Sequence, residues 1–99
     1  MEIRKKQGKA ELTLDILGRL ETSTAPQLQE VVDNDLSGIL HLHIDMKQLE
    51  YVSSAGLRVL LEAKNKIKDA GGTMVVTGVN KEVMEVFKIT GFDEILDIQ

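Results

Sequence analysis

Cysteine and tryptophan are absent from this 99-residue sequence, and aromatic residues make up only 3% of it. Without cysteine the chain has no disulfide framework, no thiolate zinc site and no cysteine nucleophile. One tyrosine and two phenylalanines are too few to build a stacking surface for single-stranded nucleic acid. Because 12 basic residues face 16 acidic ones, for a net charge of −4, we also expect no nucleic-acid binding through a basic face.

Long apolar segments are also missing. No apolar run approaches the roughly 18 residues that a membrane span requires, and the residues after Met1 do not form a signal peptide. We therefore expect a soluble, cytoplasmic chain with no membrane partner. With 42% hydrophobic residues, 99 residues are enough to bury a core, so we expect one domain over 1–99.

Strand-like and helix-like patterns alternate along the chain. Period-2 alternation predicts strands over 11–17 and 39–46. A run rich in β-branched residues predicts a strand over 73–77, a ragged first strand is expected over 2–7, and a short strand over 92–98 would add a fifth. In the strand over 39–46, Leu40, Leu42, Ile44 and Met46 are expected on one face. Period-3.6 patterns predict helices over 24–36 and 80–91. Between them, the apolar spacing from Leu57 to Ile67 predicts a helix that ends near Asp69–Gly72. The predicted fold class is α/β: a mixed, mostly parallel sheet of four to five strands with three to four helices.

Three residues mark helix ends. Thr24, with Gln27 three residues later, predicts a capping box, and Pro26 fits the first helical turn, where its missing N–H costs nothing. Asn80 is expected to cap the third helix and Gly91 to end it.

The most informative segment is the serine pair Ser53–Ser54, which stands where the second helix begins. One interpretation is a helix cap, in which a serine oxygen accepts a bond from an unpaired backbone N–H. The other is a phosphate acceptor, because a helix N-terminus tolerates a dianion that would expel a docked partner. Gly56 in the first turn either leaves space for an approaching molecule or allows close packing of helix on strand.

Catalytic and metal sites are poorly supported. Ser54 with His43 and Asp45 could form a hydrolase site, but no G-x-S-x-G motif surrounds either serine. His41 and His43 could share a zinc ion, yet Asp45 is the only candidate for a third ligand. We therefore expect no enzyme activity, no metal and no cofactor. Glu21 and Asp45 are expected at the same rim of the sheet, as acidic neighbours of the serines.

Several segments in register resemble a STAS domain of the anti-sigma factor antagonist family, and together they cover nearly the whole chain. The matching segments are LGRLET at 17–22, LHIDM at 42–46, LEYVSSAGL at 49–57, AGG at 70–72 and FKITGF at 87–92.

The resemblance implies a partner-switching regulator rather than an enzyme, and we expect the chain to be a monomer. In this family the unphosphorylated antagonist binds an anti-sigma factor that is also a serine kinase, which frees the sigma factor for transcription. Phosphorylation of a loop serine blocks binding, and a serine phosphatase reverses it. An alternative is a STAS adaptor subunit, never phosphorylated, in a transport or stress-signalling assembly.

Carried over residue by residue, the resemblance places the phosphate on Ser54, with Ser53 as the alternative acceptor. Ser53 stands where the family commonly has an acidic residue, and Ala55 stands where it has serine or threonine. The residues that the resemblance assigns to partner binding are Glu21, Thr22, Asp45, Ser53, Ser54, Ala55, Gly56 and Leu57.

Overall fold

Six β-strands and four α-helices follow one another in the computed structural model, which describes all residues 1–99. The elements are β1 (Glu2–Gly8), β2 (Glu11–Leu20), α1 (Ala25–Asn34), β3 (His41–Asp45), β4 (Leu49–Val52), α2 (Ser54–Asp69), β5 (Thr73–Thr77), α3 (Lys81–Thr90), α4 (Phe92–Ile95) and β6 (Asp97–Ile98). The longest helix has 16 residues, and none combines the length and hydropathy that crossing a bilayer would need.

The strands form one mixed sheet in the order β1-β2-β3-β5-β6, with β4 paired to the far end of β2. Only the β1–β2 pair is antiparallel; β2 with β3, β3 with β5, β5 with β6 and β2 with β4 are all parallel. The predicted α/β class with a mostly parallel sheet is confirmed.

Two elements differ from the sequence-based assignment. Strand β4 was not predicted, because four residues are too short for a clear alternation, and β4 exists through its register with Gly18, Arg19 and Leu20. The predicted strand over 92–98 is mostly the short helix α4, and only Asp97–Ile98 pair with β5. The sheet therefore has six strands rather than four to five.

The core lies between one face of the sheet and the helices. Residues that alternate along β2 and β3, such as Leu14 and Ile44, are fully buried against helical side chains such as Leu60 and Phe87. Leu40 was expected on this buried face, but it is 41% exposed and does not belong to it. It precedes β3, where its amide donates to the carbonyl of Ala10 at 2.9 Å, so it follows the β1–β2 turn instead of the strand's alternation.

Asn80 joins helix α3 to strand β4. Its side-chain oxygen accepts from the Val83 amide at 2.8 Å, as the predicted cap requires, and its side-chain nitrogen donates to the Leu49 carbonyl at 2.8 Å. Gly91 ends the same helix in the left-handed region at φ 80°, also as predicted.

We predict that Asn80→Ala lowers the free energy of unfolding by about 1–2 kcal/mol, because it removes a helix cap and leaves the Leu49 carbonyl without this donor. Urea denaturation followed by circular dichroism measures the change. Asn65→Ala, at an exposed position within α2, is the matched control and should cost nothing. Equal losses in the two variants would contradict the structural role given to Asn80.

Candidate functional site

The serine pair lies between β4 and α2. Ser53 is extended at φ −100° and ψ 174° and is the N-cap of α2. Its hydroxyl accepts from the Gly56 amide at 3.5 Å, a long hydrogen bond, while its own amide donates to the Leu20 carbonyl at 2.8 Å. Ser54 is the first residue of the helix and is exposed. The cap interpretation therefore applies to Ser53, and Ser54 is the more accessible hydroxyl.

Beside the serines, the ends of β2 and β4 form an open groove. In the register of the two strands, Leu20 lies opposite Val52, and both are buried. Arg19 lies opposite Tyr51, and these two side chains point away from the core. The serine groove, as we call it, has a volume of about 490 Å³ and is lined by Arg19, Glu21, Thr22, Ser23, Tyr51 and Ser53.

Charge in the serine groove is organised around one arginine. The Arg19 Nε donates to the Glu21 Oε2 at 2.9 Å, and the guanidinium carbon lies 4.5 Å from the centroid of the Tyr51 ring. This distance is within the range of a cation–π interaction. Arg19 and Tyr51 were missed as site residues. A charge pair two residues apart at the end of a strand, opposite an aromatic residue, is the signal that could have identified them.

Thr24 holds the turn that carries Glu21. Its hydroxyl accepts from the Glu21 amide at 2.9 Å and donates to the Arg19 carbonyl at 2.7 Å. Thr24 is the N-cap residue of α1, but its side chain makes no cap bond to the helix. The predicted capping box is therefore wrong, because the hydroxyl is already committed to the preceding turn. Pro26 occupies the first turn as predicted.

Asp45 lies apart from the serine groove. It is opposite Asp15 in the β2–β3 register, and Asp15 precedes Glu21 by six residues. Its Oδ1 accepts from the Lys47 amide at 2.9 Å, and it lines a separate cavity of about 40 Å³. The expectation of one acidic rim that contains both Glu21 and Asp45 is therefore wrong: β2 runs on past β3 to reach β4, and this extension separates the two carboxylates.

Gly56 and Leu57 lie below the surface. A Cβ at Gly56 would stand 2.6 Å from Leu20 Cγ, so helix α2 packs directly on the end of β2. The packing interpretation of Gly56 is confirmed, and its buried backbone offers no space to an approaching molecule. Leu57 is 4% exposed and belongs to the core. Its predicted role as a partner contact is corrected, since its side chain does not reach the surface. Ala55 is half-buried and Thr22 is exposed.

The structure does not bring together the residues of the hydrolase alternative or those of the zinc alternative. His43 lies in β3, opposite Thr13 and Val75, and its Nε2 is 2.6 Å from the Thr77 hydroxyl oxygen. This is the sheet face that carries no helices, not the start of α2 where Ser54 lies. No group of three or more histidine, aspartate or glutamate side chains is arranged to hold a metal ion.

The family model of the STAS domain matches residues 1–99 of this chain. Among sequence relatives, the chain is similar to the anti-sigma-B factor antagonist of Bacillus subtilis strain 168. The two are 28% identical over 93 residues, which cover 94% of this chain and 85% of the relative.

Solved structures show the same fold. An anti-sigma factor antagonist from Mycobacterium paratuberculosis superposes with a TM-score of 0.85 at 19% identity, covering 98% of this chain and 83% of the other. The Bacillus cell fate determinant SpoIIAA in its phosphorylated form gives a TM-score of 0.77 at 11% identity, covering 99% and 91%. At these identities the two likenesses establish the architecture.

We predict that Gly56→Ala destabilises the fold by about 1–3 kcal/mol, because the added methyl group would overlap the Leu20 side chain and push α2 away from β2. Thermal or urea unfolding measures the loss. Gly8→Ala is the matched control, since a Cβ there would meet its nearest neighbours at 3.6 and 3.7 Å, which is ordinary contact. If Gly56→Ala were as stable as Gly8→Ala, the close approach of α2 to β2 would be disproved.

Proposed function

Since the chain belongs to the STAS domain family, we propose that it is an anti-sigma factor antagonist that controls sigma-factor-dependent transcription by switching partners. Relatives named as antagonists of anti-sigma-B and anti-sigma F factors support this proposal. In the proposed cycle the chain carries out no catalysis. It binds an anti-sigma factor with serine kinase activity, is released when that kinase phosphorylates it, and is restored by a serine phosphatase.

The exposure of Ser54 at the first position of α2 is the observation that carries the proposal. In the modification step the kinase transfers the γ-phosphoryl group of ATP to the Ser54 oxygen, the hydroxyl loses its proton, and ADP leaves. Ser53 is the alternative acceptor, but its hydroxyl already accepts from the Gly56 amide. Phosphorylation of Ser53 would therefore also disturb the helix cap, whereas phosphorylation of Ser54 leaves that cap in place.

Phosphorylation changes the charge of the partner surface more than its shape. A neutral hydroxyl becomes a group of about −1.5 to −2 charges, next to a groove that already holds the Glu21 carboxylate. At the first turn of α2 the chain itself tolerates this charge, because unpaired backbone N–H groups point toward it. A docked partner would have to bury the same charge, which could cost several kcal/mol and invert a micromolar equilibrium.

The proposed partner surface consists of the accessible residues around the serine groove. It is smaller than the set implied by the resemblance, because Gly56 and Leu57 are buried and Asp45 lines a different cavity. The surface residues are Glu21, Thr22, Ser53, Ser54 and Ala55.

We predict that an ATP-binding serine kinase is captured from lysate of the source organism by the wild-type chain and by Ser54→Ala, and that Ser54→Asp loses it by at least about tenfold. A tenfold loss corresponds to about 1.4 kcal/mol, less than a buried charge would cost. Mass spectrometry of the captured proteins provides the measurement. Ser37→Asp adds the same charge at an exposed residue between α1 and β3, and it should capture as wild type does.

Capture of one unchanged set of proteins by all four baits would overturn the switch. Ser54 would then be only the first residue of a helix, and the chain would fit the adaptor role, in which it is never phosphorylated. Circular dichroism of each bait shows whether a lost partner reflects the added charge or a lost fold.

A further inference from the structure

We propose that Arg19 is the counter-ion of the phosphorylated loop: its guanidinium leaves the Glu21 carboxylate and pairs with the phosphate on Ser54. This inference rests on the proposed function, in which Ser54 carries the phosphate. It assigns a role in the switch to two residues, Arg19 and Tyr51, that neither the sequence patterns nor the comparisons single out.

The backbone brings Arg19 to the serine pair. Parallel pairing puts Leu20 opposite Val52, and the Ser53 amide donates to the Leu20 carbonyl at 2.8 Å, so the chain after β2 runs beside the start of α2. Arg19 leans toward this end of the strand, because its Nε reaches the Glu21 carboxylate at 2.9 Å. Arg19 lies opposite Tyr51, three residues before Ser54. Neighbouring strands are about 4.8 Å apart, so a long arginine side chain that points toward the start of α2 can meet a phosphate that extends from Ser54.

Arg19 is also the only cation that lines the serine groove. Ser54 follows the groove residue Ser53, so its phosphate would add a second anion at the edge of the groove that holds the Glu21 carboxylate. Two neighbouring anions repel each other. The guanidinium can hold a phosphate with two parallel N–H···O bonds, which are stronger when both groups are charged. A dianion therefore competes favourably with a single carboxylate for the same arginine.

The present partners of Arg19 make this exchange easy. The Arg19 side chain is 55% exposed and the Glu21 side chain 37% exposed, and ion pairs this open to water contribute little net stability. The Tyr51 ring lies beneath the guanidinium at 4.5 Å. The ring keeps the arginine in the groove while its N–H groups change acceptor, since stacking on an aromatic face does not use those donors.

A competing counter-ion lies on the helix itself. Arg58 is exposed and follows Ser54 by four residues, the spacing at which side chains on one helix face meet. Unlike Arg19, Arg58 has no aromatic ring beneath its guanidinium to hold it in place. The two arginines are distinguished by experiment.

The test measures the ionisation of the phosphate directly. Phosphoserine is installed at position 54 during translation by an expanded genetic code, and its ³¹P resonance is followed as pH changes. A nearby cation favours the dianion, so Arg19 should hold the second pKa of the phosphate below its usual value. We predict that Arg19→Gln raises the titration midpoint by roughly half a pH unit at low salt, and that the difference shrinks in about 1 M salt.

The chain offers a matched control at its other glutamate–arginine pair. Arg4 Nε donates to Glu2 Oε2 at 2.7 Å, two residues away in β1, and the side chain is 59% exposed. The hydrogen bond that Arg4 donates to the Glu2 carboxylate, together with the negative charge of that carboxylate, raises the pKa of Arg4. Arg4→Gln removes the same charge and the same kind of ion pair far from the serines, so the midpoint should not move.

Two results would overturn the inference. One is a midpoint that Arg19→Gln leaves unchanged; the other is a shift in Arg58→Gln that equals or exceeds that of Arg19→Gln. Neither result depends on a kinase or an anti-sigma factor, because the phosphate is built in during synthesis. If Ser54→Asp fails to capture the kinase but Arg19→Gln leaves the titration midpoint of the phosphate unchanged, only this inference fails. If capture does not discriminate, the proposed function fails and the Arg19 measurement still stands.

Discussion

The pairing of strand β4 with the far end of β2 is the constraint on which the site depends. Through this pairing Leu20 meets Val52 in the core, and the Ser53 amide bonds to the Leu20 carbonyl. Alternation then sends Arg19 and Tyr51 outward together. Without β4, the chain after Asp45 would enter α2 with nothing to set the position of the serines. A strand of only four residues therefore determines both where the helix begins and which side chains surround its first turn.

Close packing of α2 on β2 is the second requirement. Gly56 removes the side chain that would keep the helix at an ordinary distance, so the Leu20 side chain touches the helix backbone. Because the side chains beneath are buried and apolar and pack closely on the helix, the first turn of α2 has little room to move when charge is added above it. This limited freedom fits the proposed switch, in which phosphorylation changes the charge of a surface whose shape stays fixed. Buried residues such as Gly56 shape that surface, and exposed residues such as Ser54 are the ones that a partner can contact.

Much of this architecture follows from periodicity alone, and what periodicity missed has physical causes. The alternation in β2 and β3 and the apolar stripes of the three long helices predicted the α/β class, because burial of one face enforces those periods. Strand β4 escaped notice since its partner segment, not its own composition, makes it a strand. Threonine is a common N-cap residue, but the hydroxyl of Thr24 forms its hydrogen bonds with the turn before the helix, at Glu21 and Arg19. Asp45 ends strand β3 and Glu21 follows strand β2, yet the unequal lengths of those strands keep the two carboxylates apart.

In the proposed exchange of partners by Arg19, a weak ion pair would be an advantage. A strong, buried pair between Arg19 and Glu21 would resist exchange, since separating it would leave an uncompensated charge. An exposed pair contributes little to stability, so either member can take a new partner at small cost. The Tyr51 ring then supplies what the ion pair lacks, a fixed place for the guanidinium. Position and charge are therefore held by different contacts, and a modification that competes for the charge need not disturb the position.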